Sequence, residues 1–157
     1  MKKVLVACLL VVSGVVVGGY VFRDVQPRSL LAMRDCGGSC YKLNDLAGLL
    51  ASVGIQRVPG LHPLVLRESE QCITIRHPFP AERTHFVVFP KRDIKDIGSI
   101  SGEDTAALME CMGHIGWLVK TYNLKDYKVE TNGPERQHVT YLHFHLVASE
   151  GVVVLAQ

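Results

Sequence analysis

The sequence predicts an α+β fold: an antiparallel sheet of about five strands, one long and one shorter helix, and a single transmembrane helix ahead of them. Three observations predict it. An uncharged apolar run opens the chain, two later stretches carry apolar residues at helical spacing, and short β-branched and aromatic runs bounded by turn residues lie between and after them. The order helix, strands, helix, strands belongs to an α+β domain rather than to alternating strand-helix units. At 157 residues, 48% hydrophobic and 20% charged, the chain has the length and apolar content of one packed domain. A formal net charge of +2, with Lys and Arg scattered and not interleaved with aromatics, speaks against nucleic acid as a partner.

The first element is "MKKVLVACLLVVSGVVVGGYVF", which has Lys2 and Lys3 and then no charge until Arg23. From Val4 to Phe22 a helix would reach roughly 28 Å, close to the thickness of a bilayer core. A cleaved secretory signal is the competing reading, because Val17, Gly18 and Gly19 resemble a small-residue cleavage site. The continuation through Tyr20, Val21 and Phe22 favours a retained single-pass anchor over residues 1–23. Lys2 and Lys3 favour a cytosolic amino terminus, against the pull of Arg23, Arg28 and Arg34, and would put the soluble domain on the non-cytosolic side. There Cys36 and Cys40 in "DCGGSC" are close enough for a small disulfide, while Cys72 and Cys111 read as plain core residues.

Residues 24–40 mix charge, Pro27 and Gly37-Gly38 without a period, so they read as a tether, and a domain is expected over 41–157. Its first helix comes from "YKLNDLAGLLASVGI", with Leu43, Leu46, Leu49, Leu50 and Val53 as the apolar stripe and Gly54 as the stop. "PLVLRES", "CITIRHP" and "THFVVFP" follow as strands. Ser101 and Asp104 form a capping box for the long helix, whose expected stripe is Leu108, Met112, Ile115, Val119 and Tyr122. His114, within that helix, reads as the partner of a neighbouring polar group, Trp117 as an edge of the core or part of a contact surface, and "KRDIKD" as a solvated face and helix start. "DYKVETN", "HVTYLHFHLVA" and "VVVLA" complete the strands.

The chemistry is concentrated in "QHVTYLHFHLVAS". On a strand, Tyr141, His143 and His145 share one face, and Leu142, Phe144 and Leu146 share the other, which belongs to the core. Three readings of the histidine face stand on the residues alone: a solvent-facing strand, a metal site, and nucleophilic catalysis by imidazole. Histidines two apart with no convincing third and fourth ligand are a weak zinc pattern. Nucleophilic catalysis would use one ring to attack and its neighbour to hold a substrate oxygen.

This stretch resembles the signature of the histidine triad (HIT) family, in which three histidines alternate with hydrophobic residues after a Gln-x-Val lead-in, here Gln137, His138 and Val139. "CITIRHPFPAERTHFVVFPKRDI" is similar to the family's paired strands and "TNGPERQHV" to its phosphate-binding loop, so the resemblance covers roughly residues 64–149. It implies a HIT-like sheet and a nucleotide hydrolase or phosphoramidase acting at an α-phosphate. His143 would be the nucleophile, His145 the phosphate-binding histidine, and His85 a buried histidine behind the first triad position. Asn132 and Gln137 would orient phosphates. The first triad histidine is replaced by Tyr141, the ribose-binding acid by the region of Arg76 and His77, and a small hydroxyl residue by His138. The resemblance implies no cofactor and no metal, since the zinc arrangement of some members needs a histidine at 141 and one residue fewer between Cys36 and Cys40. Implied partners are a nucleotide or nucleotide conjugate and a second copy of the chain or subunits of a membrane complex. The alternative to the enzyme is a catalytically degenerate HIT-like accessory subunit, which Tyr141 and the unusual ribose position favour.

Overall fold

The computed structural model describes residues 2–28, 43–57, 63–80 and 82–149. The helix α1 (Lys2–Phe22) has a mean hydropathy of 2.6 and buries none of its residues against the protein, so it is long and apolar enough to cross a membrane. At its end two guanidiniums approach the Tyr20 ring, Arg23 at 5.1 Å and Arg57 at 4.9 Å from its centroid. The chain then turns directly onto the domain. The Gln26 N–H donates to the Asp93 carboxylate at 2.8 Å, and Arg28 is buried, with its two terminal nitrogens each 2.7 Å from an Asp93 oxygen. This bidentate pair is fully wrapped, because Arg28 also donates to the carbonyls of Gln26 and Thr140. Arg28 of the expected tether is therefore part of the packed domain, and Asp93 of "KRDIKD" is an interior residue. The expected Cys36–Cys40 pairing and the strand at "VVVLA" lie outside the described residues.

The helix α2 (Leu43–Arg57) forms where expected but continues past Gly54, and it is turned inside out. Its buried residues are Asp45, Gly48 and Ser52, whereas Leu43, Leu46 and Leu50 are 78%, 41% and 63% exposed. Small and hydrogen-bonding side chains let this face approach a backbone segment closely. A Cβ on Gly48 would stand 2.5 Å from the Thr140 carbonyl oxygen, and the Thr140 hydroxyl donates to Asp45 at 2.7 Å.

The sheet contains β1 (Val65–Glu68), β2 (Cys72–Arg76), β3 (Thr84–Pro90), β4 (Tyr127–Glu130) and β5 (Phe144–Ala148) in the order β1-β2-β3-β5-β4, all pairs antiparallel. The strand expected from His138 begins only at Phe144. Before that point the backbone is spent on other partners: Thr140 N–H on Asn44 O, Tyr141 N–H on Val139 O and Leu142 N–H on Ile94 O. Side chains alternate faces along β2, β3 and β5, so Cys72, Phe86, Val88, Phe144 and Leu146 meet the long helix α3 (Thr105–Thr121) in one core.

The Asp104 carboxylate accepts the Ser101 N–H at 2.7 Å, as a capping box requires, with a short 3₁₀ turn between Ser101 and α3. Four of the five residues of the expected stripe face the core, Ile115 buried and Leu108, Val119 and Tyr122 packed against the cluster, with Met112 the exception. Ala107, Cys111, His114, Ile115 and Leu118 are buried, while Met109 and Met112 are exposed. At the centre of the face Cys111 is joined to Cys72 of β2 in a disulfide, so these residues are a covalent staple between helix and sheet rather than plain core. One turn on, His114 Nδ1 meets the Thr74 hydroxyl at 2.8 Å, the polar partnership expected of it. Trp117 edges the core beneath the Arg67 guanidinium, 5.0 Å away.

Candidate active site

The sheet face opposite α3 carries the other parity of each strand: Ile75 of β2 with His77 just beyond it, His85, Val87 and Phe89 of β3, and His145 of β5 with His143 just before it. Together with Pro78, Asn132, His138 and Val139, all of these except His85 line a cavity of about 320 Å³. Its lining combines apolar Ile75, Pro78, Val87, Phe89 and Val139 with polar His77, Asn132, His138, His143 and His145. Among its lining residues there is no carboxylate.

His143 is buried, and its Nδ1 donates to the Tyr141 carbonyl oxygen at 2.7 Å. In a neutral ring that leaves Nε2 without a proton. Burial holds the pKa below the ordinary histidine value, so the lone pair is available near neutral pH. His145 Nδ1 faces His85 Nε2 at 2.8 Å. The remaining His85 nitrogen, Nδ1, is buried without a protein partner. A bare acceptor there costs less than an orphaned N–H, so the His85 proton resides on Nε2 and is donated to His145, whose own proton then sits on Nε2. Thus His143 offers an electron pair while His145, with its ring at 4.7 Å, offers an N–H. His77 completes the row, stacked on His85 with centroids 4.1 Å apart and accepting the Phe79 N–H at Nδ1.

Neighbouring rings oppose the protonation of His145 and His85. The His145 pKa is pushed down to about 4, first by burial and then by His143, His85 and His77, and burial followed by His77 lowers that of His85. Because the unfolded chain takes up this proton near pH 6.5 and the folded chain near 4, the unfolded state binds more protons between those values. Stability contributed by neutral His145 is complete above about pH 6.5 and lost as pH falls toward 4. Melting temperatures recorded across that window should therefore fall on acidification, and fall less steeply in His145→Gln.

The HIT domain family matches residues 59–152. The chain belongs to the HIT family. An uncharacterized HIT-like protein of Chlamydia trachomatis serovar D is 32% identical over 83 residues, 51% of this chain and 75% of the relative. A HIT family hydrolase from Clostridium thermocellum superposes with a TM-score of 0.57 at 24% identity, covering 69% of this chain and 94% of that one. One from Legionella pneumophila gives 0.55 at 22%, covering 64% and 95%. These two likenesses are of fold. Both α1 and α2 precede the HIT match.

Within this HIT domain, the residues expected at the site separate into three groups. His143, His145, His77, His138 and Asn132 are brought together around the cavity. His85 stands outside the lining, and its partner is the third triad position and not the first. The register explains this: His85 pairs with Val147, which makes His145 its diagonal neighbour on the same face. Gln137 is buried and absent from the cavity lining, its side-chain amide nitrogen donating to Lys95 O at 3.2 Å and its main-chain carbonyl accepting from the Asn44 side chain. Tyr141 likewise contributes no side chain to the cavity. Its ring packs against Phe89 and its hydroxyl donates to Pro90 O at 2.6 Å, with burial raising the phenol pKa far above normal. What position 141 supplies to the site is its carbonyl. Tyr141→Phe should therefore cost about 1–3 kcal/mol of stability in denaturant titrations, the price of a stranded buried carbonyl, and change turnover by no more than a few-fold. The sequence reading missed Phe89, Val87 and Ile75, although their alternation with His85 and His77 puts them on the histidine face.

Proposed function

We propose that this HIT protein is a membrane-tethered hydrolase of nucleotide conjugates, a pyrophosphatase or phosphoramidase acting at an α-phosphate through a nucleotidyl-histidine intermediate. The observation that carries the reading is the bond from His143 Nδ1 to the Tyr141 carbonyl, which bares Nε2 in a cavity of substrate size. In this mechanism Nε2 attacks the phosphorus, a P–N bond forms, and the bond from phosphorus to the leaving oxygen or nitrogen breaks. The His145 Nε2–H donates to the phosphate and hands its proton to the leaving group, recovering it through His85 or solvent. Water then attacks the phosphorus, releasing the nucleoside monophosphate and restoring His143. Asn132 and His138 in the lining supply polar groups where negative charge gathers. With His77 in place of an acid and no carboxylate in the lining, recognition rests on the phosphate and on the apolar wall rather than on ribose hydroxyls.

The membrane reading is supported by α1, and a domain on the non-cytosolic side is supported by the disulfide, which an oxidising compartment maintains. Exposed Met109 and Met112 on the outer face of α3 fit pairing with a second copy. The test is release of nucleoside monophosphate when the full chain in detergent is given an adenosine phosphoramidate or a dinucleoside polyphosphate. Release of neither product would sink the enzyme and leave a HIT-like accessory subunit, the reading that His77 favours.

A further inference from the structure

The three exposed residues of α2 are all leucines, Leu43, Leu46 and Leu50, and no charged side chain accompanies them before Arg57. A helix that hides Asp45, Gly48 and Ser52 and displays leucine is ordered for an apolar medium on its outer side. What that medium is follows from Arg57. Leu43, Leu50 and Arg57 recur every seven residues, about two turns each, so Arg57 ends the leucine face. Its guanidinium donates to the Tyr20 carbonyl at 3.0 Å and to Asp24 at 2.8 Å, at the point where α1 leaves its apolar run. The same face of α2 therefore grips the end of the span and presents the leucines, and α1 does not cover them.

We propose that α2 is a surface-lying membrane element: its Leu43, Leu46 and Leu50 face rests in the interfacial layer of the bilayer that α1 crosses. This rests on α1 being a span. The inner side of α2 is bonded to the lip of the histidine cavity. Asn44 donates to Gln137 O at 2.7 Å and accepts the Thr140 N–H, and Asp45 accepts the Thr140 hydroxyl. His138 and Val139, held between those bonds, line the cavity. The bilayer, α2 and the cavity lip thus form one stack.

The test uses single tryptophans in the full chain, with Trp117→Phe as background, in phosphatidylcholine vesicles containing lipids brominated near the headgroup or deeper in the chains. Leu46→Trp and Leu50→Trp should lose at least about half their emission to the shallow bromines, as a face sunk roughly 5–10 Å requires. Thr105→Trp, exposed at the start of α3, should lose none. Leu10→Trp quenched by deep bromines with Leu46→Trp and Leu50→Trp untouched would overturn the proposal while leaving the span intact. Leu10→Trp untouched would overturn the span and the proposal together. Tryptophans at 46 and 50 shielded from aqueous acrylamide but not quenched by lipid would assign the face to a protein, a second copy included, and also overturn it.

Discussion

His143→Ala is expected to lower kcat on the order of 10³-fold or more, the scale on which loss of a nucleophile is felt. KM should change little, because Ile75, Val87, Phe89 and the other polar residues of the lining remain. The decisive measurement is not the rate alone. Acid-labile, alkali-stable label from an α-³²P substrate should be trapped on the natural chain by rapid denaturation and be absent from the variant. A variant that still turned over at the natural rate would place the nucleophile elsewhere. His85→Ala provides the contrast: it leaves the His143 lone pair in place and removes the donor that sets the His145 tautomer. A smaller loss with the covalent label still forming is expected, and the acid limb of kcat/KM should move.

Replacing Cys72 and Cys111 together by alanine is expected to lower the unfolding free energy by up to about 4 kcal/mol, from the chain entropy released when a loop of this length is opened. Reduction of the natural protein should give the same shift in a urea titration. The effect reaches beyond the bond, since Cys111 fixes which side of α3 faces the sheet. Trapping thiols in intact cells, then denaturing the protein, should find Cys72 and Cys111 blocked to maleimide until reductant is added. Free thiols at both positions would place the domain in the cytosol and overturn the non-cytosolic assignment.

The fold class, the sheet and the histidine face were legible because each depends on local alternation: Phe86 and Val88 inward, His85 and Val87 outward, with Leu146 and His145 repeating the pattern on β5. Errors gather where a distant segment takes over a local group. Leu43, Leu46 and Leu50 have the spacing of a buried stripe, but Thr140 and Arg28 select the opposite face of α2, and nothing in the window 43–57 announces either. The Cys72–Cys111 pair spans 39 residues and depends on where α3 crosses the sheet. His143 and His145 stood out by type and spacing, and the roles proposed for them came from the resemblance to the family signature. That His85 serves His145 needed the register of β3 on β5.

The carbonyl of Tyr141 has an implication for how such proteins diverge. A duty carried by a main-chain oxygen is one that every amino acid can perform, so the code at this position is released from chemistry and left to shape. Here the released side chain has been taken up as a joist beneath Pro90 and Arg92, bracing the strand end beside His143. On the proposed mechanism, a change from histidine to tyrosine at this position keeps the bond that orients His143.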